Sequence, residues 1–456
     1  MVDRTTAPLS PRVRPAIRRL AYWLGPVLFL IASWQIWDAV EALRLERAIQ
    51  RTFAEGMPAN PAVAFNAGRQ RPPGQSDAAA YYAAANMAAV TIGFGSSDER
   101  SSAFDVTMAY REAMFDDRDV SAETAAAASA YLARYELPLR LVEQARNLPF
   151  GGATPGAESA YRLSGIWTIS RLAGLRTLDL IHRAEAGSAF DSLIARMRFV
   201  RAFTERPWIL DQTLAAQQIR MTATDTGILL SRARLSDMQL ATLQDTLAGL
   251  VDDGGLEHVM ASEVSWMYGN LESIWSGRRI GTGAFTWLAR PLLRHHATAL
   301  VQIAGDALAA ARLPWPERPA AMAEIDRRRS MLPEFPQFVA GWRILPQLED
   351  LTATMAAGVA AARASALVVA IERHRRQHGA VPAQLTELVP PPDREAVQDP
   401  FTGGSLKYAR IGQAYAVYSV GSDGRDDGGK LLPDLPPGRM PGTLPPPDIG
   451  VRVTHR

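Results

Sequence analysis

Asp423, Asp426 and Asp427 place three carboxylates within five residues of one another in a glycine-bearing turn, Gly421-Ser422-Asp423-Gly424-Arg425-Asp426-Asp427-Gly428-Gly429. Charges this close repel, so the loop is read either as fully solvated carboxylates or as a set sharing one hard cation. Calcium suits the second reading, because it accepts roughly six to eight oxygens at flexible angles, backbone carbonyls included. An EF-hand frame fits by halves. Asp423, Asp427, Gly428 and Asp434 fall at its first, fifth, sixth and twelfth places, while Arg425 occupies the third and Pro433 precedes the last.

The histidines offer less. His374 and His378 are four apart and would share a helix face, yet Arg373, Arg375 and Arg376 surround them with positive charge and no glutamate completes a His-Glu-x-x-His motif. His295 and His296 are adjacent, point different ways on a helix, and read as surface or interface residues. Gly93-Phe94-Gly95 and Gly281-Thr282-Gly283 lack the third glycine and the preceding strand of a dinucleotide fingerprint. Neither Gly-x-Ser-x-Gly nor a phosphate loop ending in Gly-Lys-Ser/Thr occurs. With no cysteine in 456 residues, disulfides, zinc–thiolate sites and thiol nucleophiles are excluded together. No catalytic residue and no cofactor other than the calcium of the acidic loop is assigned.

The elements that would position such groups begin with a membrane segment. From Leu20 to Trp37 no residue is charged, and a helix of that length covers about 27 Å, close to the hydrocarbon thickness of a bilayer. Arg12, Arg14, Arg18 and Arg19 precede the run, and Asp38 and Glu41 follow it, which places the N-terminus in the cytoplasm by the positive-inside rule. Tyr22, Trp23, Trp34 and Trp37 stand where rings favour the headgroup level. A cleavable signal peptide would have a shorter apolar core and a small-x-small site; Trp34-Gln35-Ile36-Trp37 offers none, so an uncleaved anchor is expected.

Beyond the anchor, a helical stalk and linker are expected through residue 76, broken at Met57-Pro58-Ala59-Asn60-Pro61. Residues 77–345 are rich in Ala, Leu and Arg with apolar spacing of helical type; Phe190, Leu193, Ile194, Met197 and Val200 share one face. Gly187 is expected to close one helix with Ser188 opening the next, and Ser236 with Gln239 forms a capping-box pattern. Leu351 to Ile371 is apolar enough to suggest a second span, but Arg363 at its centre favours a soluble helix ending at His378, with Gly379 as its left-handed cap and Glu372 to Arg376 as a solvated face.

After that helix, Leu406–Tyr408 and Tyr415–Ser419 carry β-forming residues between glycine-bearing turns. Gly379-x-x-Pro382, Leu385-x-x-Leu388, Asp399-Pro400-Phe401, Tyr408 and Tyr418-Ser419-Val420-Gly421-Ser422-Asp423-Gly424 together make roughly residues 365–430 resemble the C-terminal domain of the major pseudopilins of type II secretion. The resemblance implies a long helix followed by a small antiparallel sheet. It also implies a calcium-binding loop, whose carboxylates would correspond to Asp423, Asp426 and Asp427. Unlike a pseudopilin, this chain has no prepilin-peptidase site and no glutamate just inside its apolar helix, so a processed pilus subunit is not implied. The chain as a whole resembles bacterial membrane-anchored proteins with a helical body, which implies no reaction.

The expected fold is mainly α. It comprises a cytoplasmic N-terminus (1–19), a transmembrane anchor (20–40), a stalk and linker (41–76), a helical domain (77–345), a pseudopilin-like helix and sheet (346–432) and a disordered Pro-rich tail (433–456). The formal net charge of +2, with both signs interspersed, implies no nucleic-acid partner. The expected partners are membrane lipid and other envelope proteins, and the expected role is binding or scaffolding. The alternatives are an accessory part of a type II secretion or pilus-like system, or an exported hydrolase with its site in the helical domain.

Overall fold

A computed structural model of the protein describes residues 13–54, 77–92, 97–149, 163–204, 208–250, 255–275, 284–332, 347–388, 393–431 and 448–455. Fourteen α-helices are described: α1 (Val13–Ala54), α2 (Ala78–Ile92), α3 (Ser97–Phe115), α4 (Ala122–Arg134), α5 (Glu136–Ala145), α6 (Leu163–His182), α7 (Ala186–Thr204), α8 (Ile209–Arg232), α9 (Asp237–Ala248), α10 (Gly255–Trp275), α11 (Ala284–Ala311), α12 (Arg318–Ser330), α13 (Leu348–His378) and the short α14 (Arg394–Val397). Strands β1 (Lys407–Ile411), β2 (Ala414–Ser419) and β3 (Ile449–Thr454) form one antiparallel sheet in that order. The chain is thus mainly helical with a small C-terminal sheet, as the sequence leads one to expect.

Local signals explain some element ends. Ser236 accepts the Gln239 amide while the Gln239 side chain accepts the Ser236 amide, a complete capping box at the start of α9. Gly379 adopts φ +79° and closes α13, the left-handed cap that only glycine takes without a Cβ penalty. The apolar stripe of α7 is buried throughout, from Phe190 to Val200. One boundary differs from expectation. The break between α6 and α7 falls at Arg183–Glu185, with Ala184 at φ +61°, and Gly187 lies inside the first turn of α7.

Among the described residues two large apolar cores hold the molecule together, beside a small cluster of Ala416, Tyr418 and Leu431. The first joins α2 through α9 to the C-terminal half of α13 and to the sheet; the second joins residues of α1, α10, α11 and α12 to the N-terminal half of α13. Because α13 serves both, the helix and sheet expected as a separate module share their core with the helical region. Among the described residues two helices are long and apolar enough to cross a membrane, and burial separates them: 89% of the apolar window of α13 is buried, against 11% for that of α1. Arg363 lies inside the body and donates to the Gln398 carbonyl at 2.9 Å.

The C-terminal tail requires a correction. Residues 432–447 lie outside the described residues, but Ile449–Thr454 is a strand, inside what composition marks as a disordered tail. Alternation places Ile449, Val451 and Val453 in the core, where their burial outweighs the proline-rich approach. The strand lies close on α8: a Cβ added at Gly227 would meet the Arg452 carbonyl oxygen at 2.5 Å.

Candidate functional site

Among the described residues, most of the exposed large apolar side chains belong to α1. Leu24, Val27, Leu28, Phe29, Leu30, Ile31, Ile36 and Trp37 are each at least 45% exposed. A contiguous band of this kind, rather than scattered apolar residues, marks a surface made for something other than water.

Where the uncharged run ends, α1 meets α11 in a polar seam. The Trp34 indole N–H donates to the Leu288 carbonyl at 3.0 Å, and the Arg290 guanidinium stands 5.4 Å from the Trp34 ring centre. Asp38 accepts from Arg290 Nε at 3.2 Å and Nη2 at 2.6 Å, and pairs with Arg294 Nη1 at 2.8 Å. Glu41 pairs with Arg44 at 2.8 Å and lies 3.3 Å from His295 Nδ1. Asp38 and Glu41 are buried, and a buried carboxylate requires such partners. One turn on, Leu45 and Ala48 enter the second core beside Ala297, Leu300 and Val301. The outer half of α1, expected as a stalk, is therefore a wall of the body.

A second polar cluster joins α13 to the sheet. Glu372 is buried, which corrects its expected place on a solvated face: it follows Val368 and Val369 at helical spacing and shares their side. It accepts from Tyr415 Oη at 2.7 Å and from Arg375 at 2.9 and 3.0 Å, and His455 Nε2 lies 3.0 Å away. Burial pushes the Glu372 carboxyl upward, but His455, Tyr415 and Arg375 more than offset this and hold it below its ordinary value. The Tyr415 hydroxyl is raised well above the usual range by burial and by the neighbouring carboxylate.

A third cluster is fully internal. Asp225 of α8 accepts from Arg111 of α3, Nε to Oδ1 at 2.8 Å, and from Arg196 of α7, which also donates to Gln218 at 3.2 Å. All three charged residues are completely buried. Separately, Glu263 of α10 faces the first turn of α8, where the Ile209 amide donates to it at 3.4 Å. Burial raises its carboxyl to about 7, and the Ile209 N–H offsets only part of that.

In the acidic loop each carboxylate has a local partner. Asp423 accepts the Arg425 amide at 3.0 Å; Asp426 accepts from Tyr418 Oη and the Gly428 amide, both at 3.0 Å; Asp427 lies 3.3 Å from Arg425 Nε. The organiser of the loop is Asp448, buried, which accepts the Gly429 amide at 2.7 Å and the Asp427 amide at 3.4 Å. Among the described residues no group of three His, Asp or Glu side chains is arranged to hold a metal ion; Asp434 lies outside them. The rings of His374 and His378 stack with centres 4.1 Å apart, and those of His295 and His296 meet edge to face at 5.5 Å. Residues 93–95 and 281–283, the two glycine pairs, lie outside the described residues.

The sequence reading took Asp38 and Glu41 only as charges flanking the apolar run, set Glu372 on a solvated face and did not single out Asp225. Only Glu372 carried a usable signal, its register with the apolar face of α13. Compared with known proteins, the chain matches no family model, no curated protein and no solved structure.

Proposed function

We propose that this is a single-pass membrane protein, with residues 1–19 in the cytoplasm, the uncharged run of α1 in the cytoplasmic membrane and the body on the far side, where it works by binding or scaffolding envelope proteins. The observation that carries this reading is the exposed apolar band of Leu24–Trp37 on a helix whose other end is built into the body. In water that band would be costly; in lipid it costs nothing. Arginines at 12, 14, 18 and 19 set the orientation. The ion-paired seam with α11 ties the anchor directly to the body, as a part that holds a partner at a set height above a membrane requires.

The chain has no cysteine, so one introduced thiol reports topology without background. Met238 is 81% exposed on the body. The full chain is expected to resist alkaline extraction from membranes, and Met238→Cys to react with an impermeant maleimide in intact spheroplasts. Labelling only after the membrane is broken would reverse the orientation, and a full chain recovered in the aqueous phase would remove the anchor.

A second reading, an accessory role in a type II secretion or pilus-like system, is supported by the long helix α13 followed by an antiparallel sheet, with the Asp399-Pro400-Phe401 turn at their junction. There the buried Asp399 accepts from the Phe401 amide at 2.9 Å and from Ser419 Oγ at 2.8 Å. Co-purification after mild detergent extraction separates the two readings, since only the second requires secretion components to appear.

A further inference from the structure

The seam between α1 and α11 has a constant register. Trp34 meets Leu288, Asp38 meets Arg290 and Arg294, and Glu41 meets His295, at sequence offsets of 254, 252, 256 and 254. A constant offset of this kind means that the two helices run parallel, so α11 begins on the side toward which α1 enters lipid. An offset of 254 sets Ala284, the first residue of α11, level with Leu30, seven residues inside the uncharged run and so about 10 Å from its end at Trp37. Helix α11 starts in keeping with that depth. Ala284-Phe285-Thr286-Trp287-Leu288-Ala289 carries no charge, and the first charged residue, Arg290, is neutralised by Asp38. Leu288 is 61% exposed and Leu292 47%, and the same offset sets them level with Trp34 and Asp38.

We propose that the start of α11 is a second lipid-contacting element, with its first turn inside the leaflet facing the body and Leu288 and Leu292 at headgroup level with the Trp34–Arg290–Asp38 group. This rests on the membrane reading of α1 and adds to it: the body touches the bilayer at two helices and is held in one orientation. The occupant of the Leu288–Leu292 face is phospholipid, because the parallel register sets Leu288 level with Trp34, inside the uncharged run, and Leu292 level with Asp38 at its end. Trp34, with its N–H committed to Leu288 and its ring beside Arg290, is placed as an interfacial tryptophan would be.

The test uses single cysteines in the full chain, each carrying a small environment-sensitive fluorophore, in phosphatidylcholine–phosphatidylglycerol vesicles containing nitroxide-labelled lipid. Leu288→Cys and Leu292→Cys replace exposed side chains, so little packing is lost. Val27→Cys, 50% exposed on α1, reports the anchor itself, and Met331→Cys, 67% exposed on the body, reports the water phase. The expected result is loss of fluorescence at 288 and 292, smaller than at 27 but well above that at 331, where none is expected. If 27 is quenched while 288 and 292 are quenched only by aqueous iodide, the proposal is overturned and the anchor stands. If 27 is not quenched, both fail. Should 288 and 292 be shielded from both quenchers, with Leu292→Cys oxidising to a disulfide-linked dimer, the face belongs to a second copy of the chain and the proposal is overturned.

Discussion

Asp38, the first charged residue after the apolar run of α1, holds Arg290 of α11 at two points, with Nη2 2.6 Å from Oδ2 and Nε 3.2 Å from Oδ1. Arg294 reaches the same carboxylate and also the Asp38 carbonyl, at 3.2 Å. The Asp38 side chain thus ties α11 to α1 at two arginines.

Removing it should loosen the seam. Asp38→Ala leaves two arginines facing one another with no carboxylate between them, and is expected to cost about 1–3 kcal/mol, the range for charge-assisted hydrogen bonds. Denaturant unfolding of the full chain in detergent measures this. Asp38→Glu, which keeps the charge, should recover part of the loss. An unchanged midpoint for Asp38→Ala would show that apolar packing alone holds the helices.

The internal cluster should be less forgiving. Asp225→Ala strands Arg111 and Arg196 in a completely buried position, and the loss of one partner of a buried pair costs about 3–5 kcal/mol. A fall of that size in the free energy of unfolding, or failure of the body to fold, is expected. A triple replacement of Arg111, Arg196 and Asp225 by apolar residues should do less harm than the single change, since no charge then remains to be desolvated.

Two carboxylates should give opposite pH dependence. Glu372 has a folded-state pKa below its ordinary value of 4.5. Its contribution is complete above that value and is lost as pH falls through the lower, folded-state pKa. Glu263 is the reverse. With its pKa raised to about 7, it takes up a proton more readily folded than unfolded, so stability declines as pH rises from 4.5 to about 7 and stays reduced above. Glu263→Gln should therefore raise the melting temperature at pH 8 and leave it nearly unchanged at pH 4, whereas Glu372→Gln should lower it at pH 8. A Glu263→Gln variant less stable than the parent at pH 8 would show that the ionised carboxylate is needed at the α8 N-terminus.

The contact of β3 with α8 predicts a steric effect. Gly227→Ala would set a methyl 2.5 Å from the Arg452 carbonyl oxygen and 2.9 Å from Val451 Cγ1, closer than packed atoms stand. A cost of about 1–3 kcal/mol is expected from overpacking. Thermal melts would show it, while Gly187→Ala, with nothing within 4 Å, serves as the neutral control.

How far the sequence alone reached depended on whether a signal was local. The Ser236–Gln239 box and the Gly379 cap were legible because a cap is decided by residues a few places apart. The apolar face of α7 was legible for the same reason. Strand β3 was not, because six residues behind a proline-rich segment carry little pattern until β2 and α8 are there to bury them. Asp38, Asp225 and Asp448 were hidden differently. Each is an ordinary aspartate in sequence, made special by partners such as Arg290, Arg111 and the Gly429 amide, and long-range pairing leaves no trace in spacing. The acidic loop drew notice for its crowd of carboxylates, yet what orders it is Asp448, 21 and 19 residues from the amides it accepts.

Strand β3 also bears on the order in which the chain acquires its shape. Its residues bond to partners far upstream: the Thr454 amide to Ser231 at a separation of 223 residues, and Arg452 to the Phe115 carbonyl at 337. The first core is thus closed by residues synthesised long after the helices they pack on. Until those residues are free, α3 and α8 have no strand to rest on, and long-range closures of this kind are slow. A polypeptide built so keeps its first core open while most of its helices are already made.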